Sequence, residues 1–232
     1  VIMHKWEKML QSLKSQKDTS QKTGTKCNIC KGVEWIKKPV DEYEQLEPCV
    51  CYIKKQNERM LANSGIAEAF KSKRLDDYQE NSPEAAKALK ACRSYLDKFF
   101  DIEKDDHNSI GFFGKVGSGK THLSIALANE LMAKGVQVRY MEYRPVMDEI
   151  KRNMMDEAYH HRKIAPYKNC RVLLIDDFLK GAIRNGQLNE SDIGIIYGIM
   201  NHRYLNKMPI IISSEYYPDQ LVDFEDAIGS RI

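Results

Sequence analysis

The 232-residue chain has no apolar run that approaches the length needed to span a bilayer, which excludes a helical membrane protein as the expected class. Its first residues, Val1 to Lys8, carry no apolar signal core, so the expectation is a cytoplasmic protein with no membrane partner. Neither sign of charge is in excess. The 36 Lys and Arg against 33 Asp and Glu leave a formal net charge of +3. Composition therefore does not announce a nucleic-acid binder, and any such contact has to come from local patches. Cysteine is sparse, six in all, and in a cytosolic chain six favour metal binding or buried thiols over disulfides. What is present suits a soluble globular protein: 30% charged and 42% hydrophobic residues, with length for one good-sized core plus a smaller module.

The most informative stretch is SIGFFGKVGSGKT, residues 109–121. Within it Gly114, Lys115, Val116, Gly117, Ser118, Gly119, Lys120 and Thr121 fit G-x-x-x-x-G-K-[ST]. Ile110, Phe112 and Phe113 read as a buried strand before the loop. Leu123, Leu127 and Leu131 mark one face of a helix after it, opening at His122. Glycines let successive backbone N–H groups converge on phosphate oxygens, and the helix N-terminus adds partial positive charge. Lys120 places a point charge on the β- and γ-phosphates, and the Thr121 hydroxyl ligates magnesium. Residues 114–121 with His122 are the expected ATP- or ADP-binding set.

A second constellation precedes it: Cys27 and Cys30, then Cys49 and Cys51. Cys-x-x-Cys brings two thiolates from one tight turn to one ion, and a second close pair completes a tetrahedral sulfur shell suited to structural zinc. Unliganded cysteines and a redox pair are the alternatives, the latter weakened because no βαβ pattern surrounds the motif. A module this small cannot bury enough core alone, so the metal would stabilise it directly. Cys92 and Cys170 sit at apolar positions and read as buried small hydrophobes.

Around these motifs, residues 3–15 suggest an amphipathic helix (Trp6, Met9, Leu10, Leu13) and residues 15–26 a polar linker. A helix over 52–63 follows. Ser82 and Pro83 open a long one, with Ala85, Leu89, Cys92, Tyr95 and Phe99 at helical spacing. Strands are expected at 136–141, 171–177 and 208–214, and helices at 144–158 and 191–205, with a loop over 180–190. Near-continuous apolar strands alternating with helices indicate a parallel sheet covered on both faces.

The strand at 171–177 ends in Asp176 and Asp177. The first carboxylate can hold magnesium, and the second can orient the attacking water. Ser213, Ser214 and Glu215 close the next strand, where ligands of parallel sheets bind. Ser214 either senses the γ-phosphate or caps the following turn.

Residues 114–121, 172–178, 209–214 and 227–231 resemble the phosphate loop, acidic strand, first sensor and arginine-finger box of AAA+ ATPases. Among these the chain is most similar to the DnaC/DnaI-type helicase loaders and the related IstB-like transposition ATPases. The cysteine cluster and the lead-in from Asn63 to Ile66 with Phe70 look like the loaders. The resemblance implies an α/β P-loop AAA+ sheet ordered 5-1-4-3-2 and flanked by helices, with a small N-terminal zinc-binding module. It implies ATP hydrolysis at subunit interfaces of a homo-oligomer, with Arg231 reaching a neighbour's γ-phosphate. It also implies a replicative DNA helicase and single-stranded DNA as partners. The expected organisation is a helicase-interacting zinc module over 1–62, a helical connector over 63–105 and the ATPase domain over 106–232. A transposase-helper ATPase is the alternative function. Glu215 stands where the family often carries Asn. The family continues past Arg231 into a second sensor, so the expected form is truncated with impaired hydrolysis.

Arg144, Lys151, Arg152, His160, His161, Arg162 and Lys163 form a basic region. It is either a single-stranded DNA contact or a solvated face. Arg203 is expected at a subunit interface or in a surface salt bridge.

Overall fold

A computed structural model describes residues 27–40, 43–62 and 68–231. The expected helix over 3–15 and linker over 15–26 lie outside the described residues. The chain divides into two units, Val1–Cys49 and Val50–Ile232. The helix starting at Val50, which the sequence places in the small module, thus groups with the larger unit.

In the small unit, β1 (Trp35–Val40) and β2 (Tyr43–Pro48) form an antiparallel hairpin with Trp35 opposite Pro48. Before it, the Lys31 N–H donates to Cys27 O (2.8 Å) and the Val33 N–H to Cys30 O (3.0 Å), closing a tight turn. The Cys49 N–H donates to Glu34 O (2.8 Å), which brings the chain back beside that turn after β2.

The larger unit starts with α1 (Val50–Ala62), the short α2 (Glu68–Lys71), a 3-10 turn at Leu75–Asp77, and α3 (Pro83–Ile102). Ser82 caps α3, its hydroxyl accepting from the Ala85 N–H at 3.1 Å, with Pro83 pre-set for the first turn. Then come β3 (Ile110–Phe113), α4 (Lys120–Ala133), β4 (Val138–Glu142), α5 (Tyr143–Arg152), α6 (Glu157–Asn169) and β5 (Val172–Asp176). A small hairpin of β6 (Ile183–Arg184) and β7 (Gln187–Leu188), α7 (Glu190–Leu205), β8 (Ile210–Ser214), α8 (Pro218–Phe224) and α9 (Asp226–Gly229) complete it.

The parallel sheet has the order β3-β8-β5-β4. Its central strands β5 and β8 are buried along their whole length. Side chains alternate between faces. Leu173, Ile175, Ile210 and Ile212 pack with Met147, Ile164, Ile195 and Ile199 of α5, α6 and α7. Phe112, Val172, Leu174 and Ile211 pack with Leu89, Phe99, Leu123 and Leu127 of α3 and α4. Helices thus cover both faces, as expected. The order is the 1-4-3-2 portion of the expected five-strand sheet, and among the described residues no fifth strand joins it. Residues 218–224 and 226–229 form α8 and α9 instead.

Two expectations change. The helix expected over 144–158 stops at Arg152, and α6 starts afresh at Glu157 because Asp156 caps it, accepting from the Tyr159 N–H at 2.8 Å. The sequence hides α6: Pro166 lies inside it and only Ile164 and Tyr167 are buried. Arg203 is not at the surface and, among the described residues, forms no salt bridge. It is 0% exposed and donates to the carbonyls of Tyr167 (3.0 Å), Cys170 (2.9 Å) and Pro209 (2.7 Å). It ties the end of α6 and the approach to β5 to the start of β8.

Cys92 and Cys170 are buried, as expected, and burial pushes the Cys92 thiol up to about 12. Among the described residues no helix is long and apolar enough to cross a membrane.

Candidate nucleotide-binding site and cysteine cluster

β3 delivers the chain to the glycine loop at the carboxyl edge of the sheet, where the Gly114 N–H donates to Ser214 O of β8 at 3.2 Å. Gly119 caps α4 with φ 84°, and a Cβ there would meet the Tyr78 ring at 2.8 Å. Both the backbone angle and the close approach therefore demand glycine. Lys115, Val116, Gly117 and Ser118 are exposed, whereas Lys120 is buried with Nζ donating to Lys115 O at 2.8 Å. Helix geometry leaves the first amides of α4 without intrahelical acceptors, which suits an anion.

Tyr78 lies against this loop from the connector. Its hydroxyl donates to Ser118 O (3.4 Å), and its ring meets His122 edge-on with centroids 5.4 Å apart. His122 Nε2 lies 3.2 Å from Arg74 O. A cavity of about 890 Å³ opens here, lined by Tyr78, Asn81, Gly117, Gly119, Lys120 and Tyr217 among others. That volume falls within the range of small-molecule sites.

Asp176 closes β5 and is buried. Oδ1 accepts from Thr121 Oγ1 at 3.0 Å and also from Ser213 Oγ, while Oδ2 accepts from the Tyr140 hydroxyl at 3.3 Å. The Tyr140 phenol is raised well above its ordinary range, first by burial and then by the Asp176 charge. Thr121 Oγ1 and Asp176 Oδ1 together are hard oxygen donors of the kind magnesium takes.

Asp177 lies just past the strand with φ 53°. Its N–H donates to Ser213 Oγ at 3.0 Å, and its carboxylate accepts from Lys180 Nζ at 2.8 Å. Lys180 Nζ is also 3.6 Å from Glu215 Oε1. The Ser214 hydroxyl donates to Phe178 O (2.9 Å) and accepts from the Tyr216 N–H (3.2 Å). Ser213 is therefore the serine that meets Asp176, and Ser214 braces the turn. Tyr78, Tyr140 and Lys180 are residues the motifs do not reveal, because strand order and the connector's path bring them in.

Arg231 rests on α7. Nε donates to Asn201 Oδ1 at 2.9 Å, the guanidinium stacks 4.9 Å from the Tyr197 ring centroid, and Nη1 donates to Ala227 O. Of the basic region, Arg144 pairs with Asp148 (2.9 Å), Lys151 with Asp192 (2.6 Å) and Lys163 with Glu149 (2.7 Å). Arg152, His161 and Arg162 are exposed.

The sulfurs of Cys27, Cys30, Cys49 and Cys51 all lie within 4.8 Å of one another, with Cys27 and Cys49 Sγ 3.8 Å apart. Zinc–sulfur bonds of about 2.3 Å in a tetrahedron place sulfurs roughly 3.8 Å apart, so these residues fit zinc. Among the described residues no cysteine is disulfide-bonded.

A helix-covered parallel sheet with a glycine loop after its edge strand and acids closing a central strand defines an AAA+-type P-loop domain. Residues 87–232 match the model of the bacterial DnaA ATPase domain, and the chain belongs to that family. YqaM of Bacillus subtilis (strain 168) is 35% identical over 215 residues, covering 90% of this chain. The phage-like element PBSX protein XkdC of the same organism is 34% identical over 187 residues, or 79% of this chain. The chain spans 65% of the first relative's length and 69% of the second's. A crystal structure of the DnaC helicase loader shares the fold, with 22% identity, a TM-score of 0.60, and 71% of this chain and 94% of that chain covered. The replication initiator DnaA bound to AMPPCP and single-stranded DNA is 25% identical with a TM-score of 0.55, over 68% of this chain and 46% of that one.

Proposed function

We propose that the protein is an ATP-dependent loader that places a hexameric replicative helicase on single-stranded DNA during replication initiation, working in the cytoplasm. The observation that carries this reading is a four-cysteine cluster, fit for zinc, in the same chain as a DnaA-family ATPase domain. Residues 1–62 act as the helicase-contacting module, 63–105 as the connector and 106–232 as the motor.

In this reading the amides of 114–121 and His122 receive the phosphates, and Lys120 leaves Lys115 O to pair with the β- and γ-oxygens. Thr121 and Asp176 would hold magnesium, which would neutralise phosphate charge when bound. Asp177 orients water in the hydrolysis of ATP to ADP, while Ser213 and Ser214 fix the ends of β5 and β8 around it. Arg231 acts across a homo-oligomer interface on a neighbour's ATP, exchanging the Tyr197 face for phosphate oxygens. Arg152, His161 and Arg162, exposed on α5 and α6, track the DNA backbone.

A pull-down from host extract with ATP tests this. Recovery of the replicative helicase supports the loader. Recovery of a transposase instead supports the helper reading, which shares the ATPase residues.

A further inference from the structure

Two carboxylates stand side by side where the central strands end: Asp177 after β5 and Glu215 after β8. They are 32% and 31% exposed, and Lys180 bridges them, with Nζ 2.8 Å from Asp177 Oδ2 and 3.6 Å from Glu215 Oε1. The turn that carries Lys180 is pinned. Phe178 and Leu179 beneath it are buried. The Phe178 N–H donates to Ser213 O (2.8 Å), Ser214 Oγ donates to Phe178 O (2.9 Å), and the Lys180 N–H donates to Asp177 O (3.0 Å). The stem of Lys180 therefore starts from a fixed point while its side chain is 52% exposed.

A polyphosphate beside two carboxylates meets like charge, and ionised carboxylates only accept hydrogen bonds, so neither can hold a phosphate oxygen. An ammonium carries three donors, of which these two acids take at most two. We propose that Lys180 is a phosphate-reading cation of this site. Glu215 anchors it, and it moves from Asp177 to the terminal phosphate of ATP, which releases Asp177 to orient water. With ADP no such phosphate is offered, and Lys180 keeps Asp177 paired. The inference rests on the proposed ATP reading of the glycine loop and gives the site a way to tell ATP from ADP.

The test is titration with fluorescent ATP and ADP analogues, plus single-turnover hydrolysis, for the full chain and for Lys180→Met, Lys180→Arg and Glu215→Gln. Lys180→Met is expected to weaken ATP about tenfold or more while leaving ADP unchanged, since the lost bond is charge-assisted. Lys180→Arg restores most of the ATP preference, and Glu215→Gln loses part of it. If Lys180 only braces the turn, Lys180→Met leaves the ATP-to-ADP affinity ratio at the unsubstituted value, and that result overturns the proposal. A chain that binds neither nucleotide before substitution overturns the ATP reading itself, and this inference with it.

Discussion

The Thr121 hydroxyl donates to Asp176 Oδ1 across 3.0 Å, joining the first turn of α4 to the end of β5. The contact brings a loop after the edge strand beside an acid on a central strand within the order β3-β8-β5-β4. Asp176 is buried, and the hydroxyls of Thr121, Ser213 and Tyr140 donate to its carboxylate. A buried carboxylate needs such compensation, and the same oxygens are suited to a divalent ion.

Lys120 and Asp177 are expected to separate binding from hydrolysis. Lys120→Ala removes the cation proposed to meet the phosphates and should abolish nucleotide binding, a loss on the order of 100-fold or more in affinity. Asp177→Asn keeps every phosphate donor and removes the group proposed to orient water, so ATP affinity does not fall while turnover drops about 100-fold or more. Equilibrium titration and steady-state phosphate release on the same preparations check both.

How much of this was legible differs from residue to residue. Residues 114–121 declare themselves because the phosphate cradle is built from consecutive amides, so its chemistry is local in sequence. β5 and β8 are equally plain, since strands buried on both faces read as near-continuous apolar runs. Tyr140, Lys180 and Tyr78 carry no local mark. Each becomes a neighbour of the site through register or through the connector's path, which periodicity does not encode. α6 was missed because Pro166 reads as a breaker, although the surrounding turns hold the helix around it.

Arg231 makes its contacts on α7, stacked on Tyr197. Arg231→Ala should therefore leave ATP affinity of the dilute protein unchanged and lower turnover only where subunits assemble, by up to about 10³-fold for a guanidinium acting in trans. The measurement is ATPase rate against protein concentration, with and without single-stranded DNA. Equal loss at all concentrations would count against an interfacial role.

The cysteine cluster predicts a thiol pattern. With metal bound, thiol reagent at pH 8 should find the four N-terminal cysteines slow, and a strong chelator should expose all four together. Cys92, pushed up to about 12 by burial, stays protonated and therefore silent until the domain unfolds, because the thiolate is the nucleophile. Cys27→Ser should release zinc, measured by elemental analysis, and damage helicase binding before ATP binding. Native protein without zinc would sink the assignment.

Arg203 supplies the sharpest test of stability against assembly. Its Nη1 and Nη2 reach the carbonyls of Tyr167, Lys168, Cys170, Arg171 and Pro209, groups from two stretches of chain that meet only in the folded protein. Burial lowers the guanidinium below its ordinary value, yet these carbonyl dipoles hold the charged form in place. Arg203→Met fills similar volume but strands several buried acceptors, and breaking a buried charge network of this kind costs about 3 kcal/mol or more. The expected result is a large drop in the urea midpoint, with nucleotide affinity unchanged while the protein is folded. Arg203→Lys should recover little, since an ammonium lacks the planar fork that spans these carbonyls. An Arg203→Met protein with an unaltered urea midpoint would count against this bracing role.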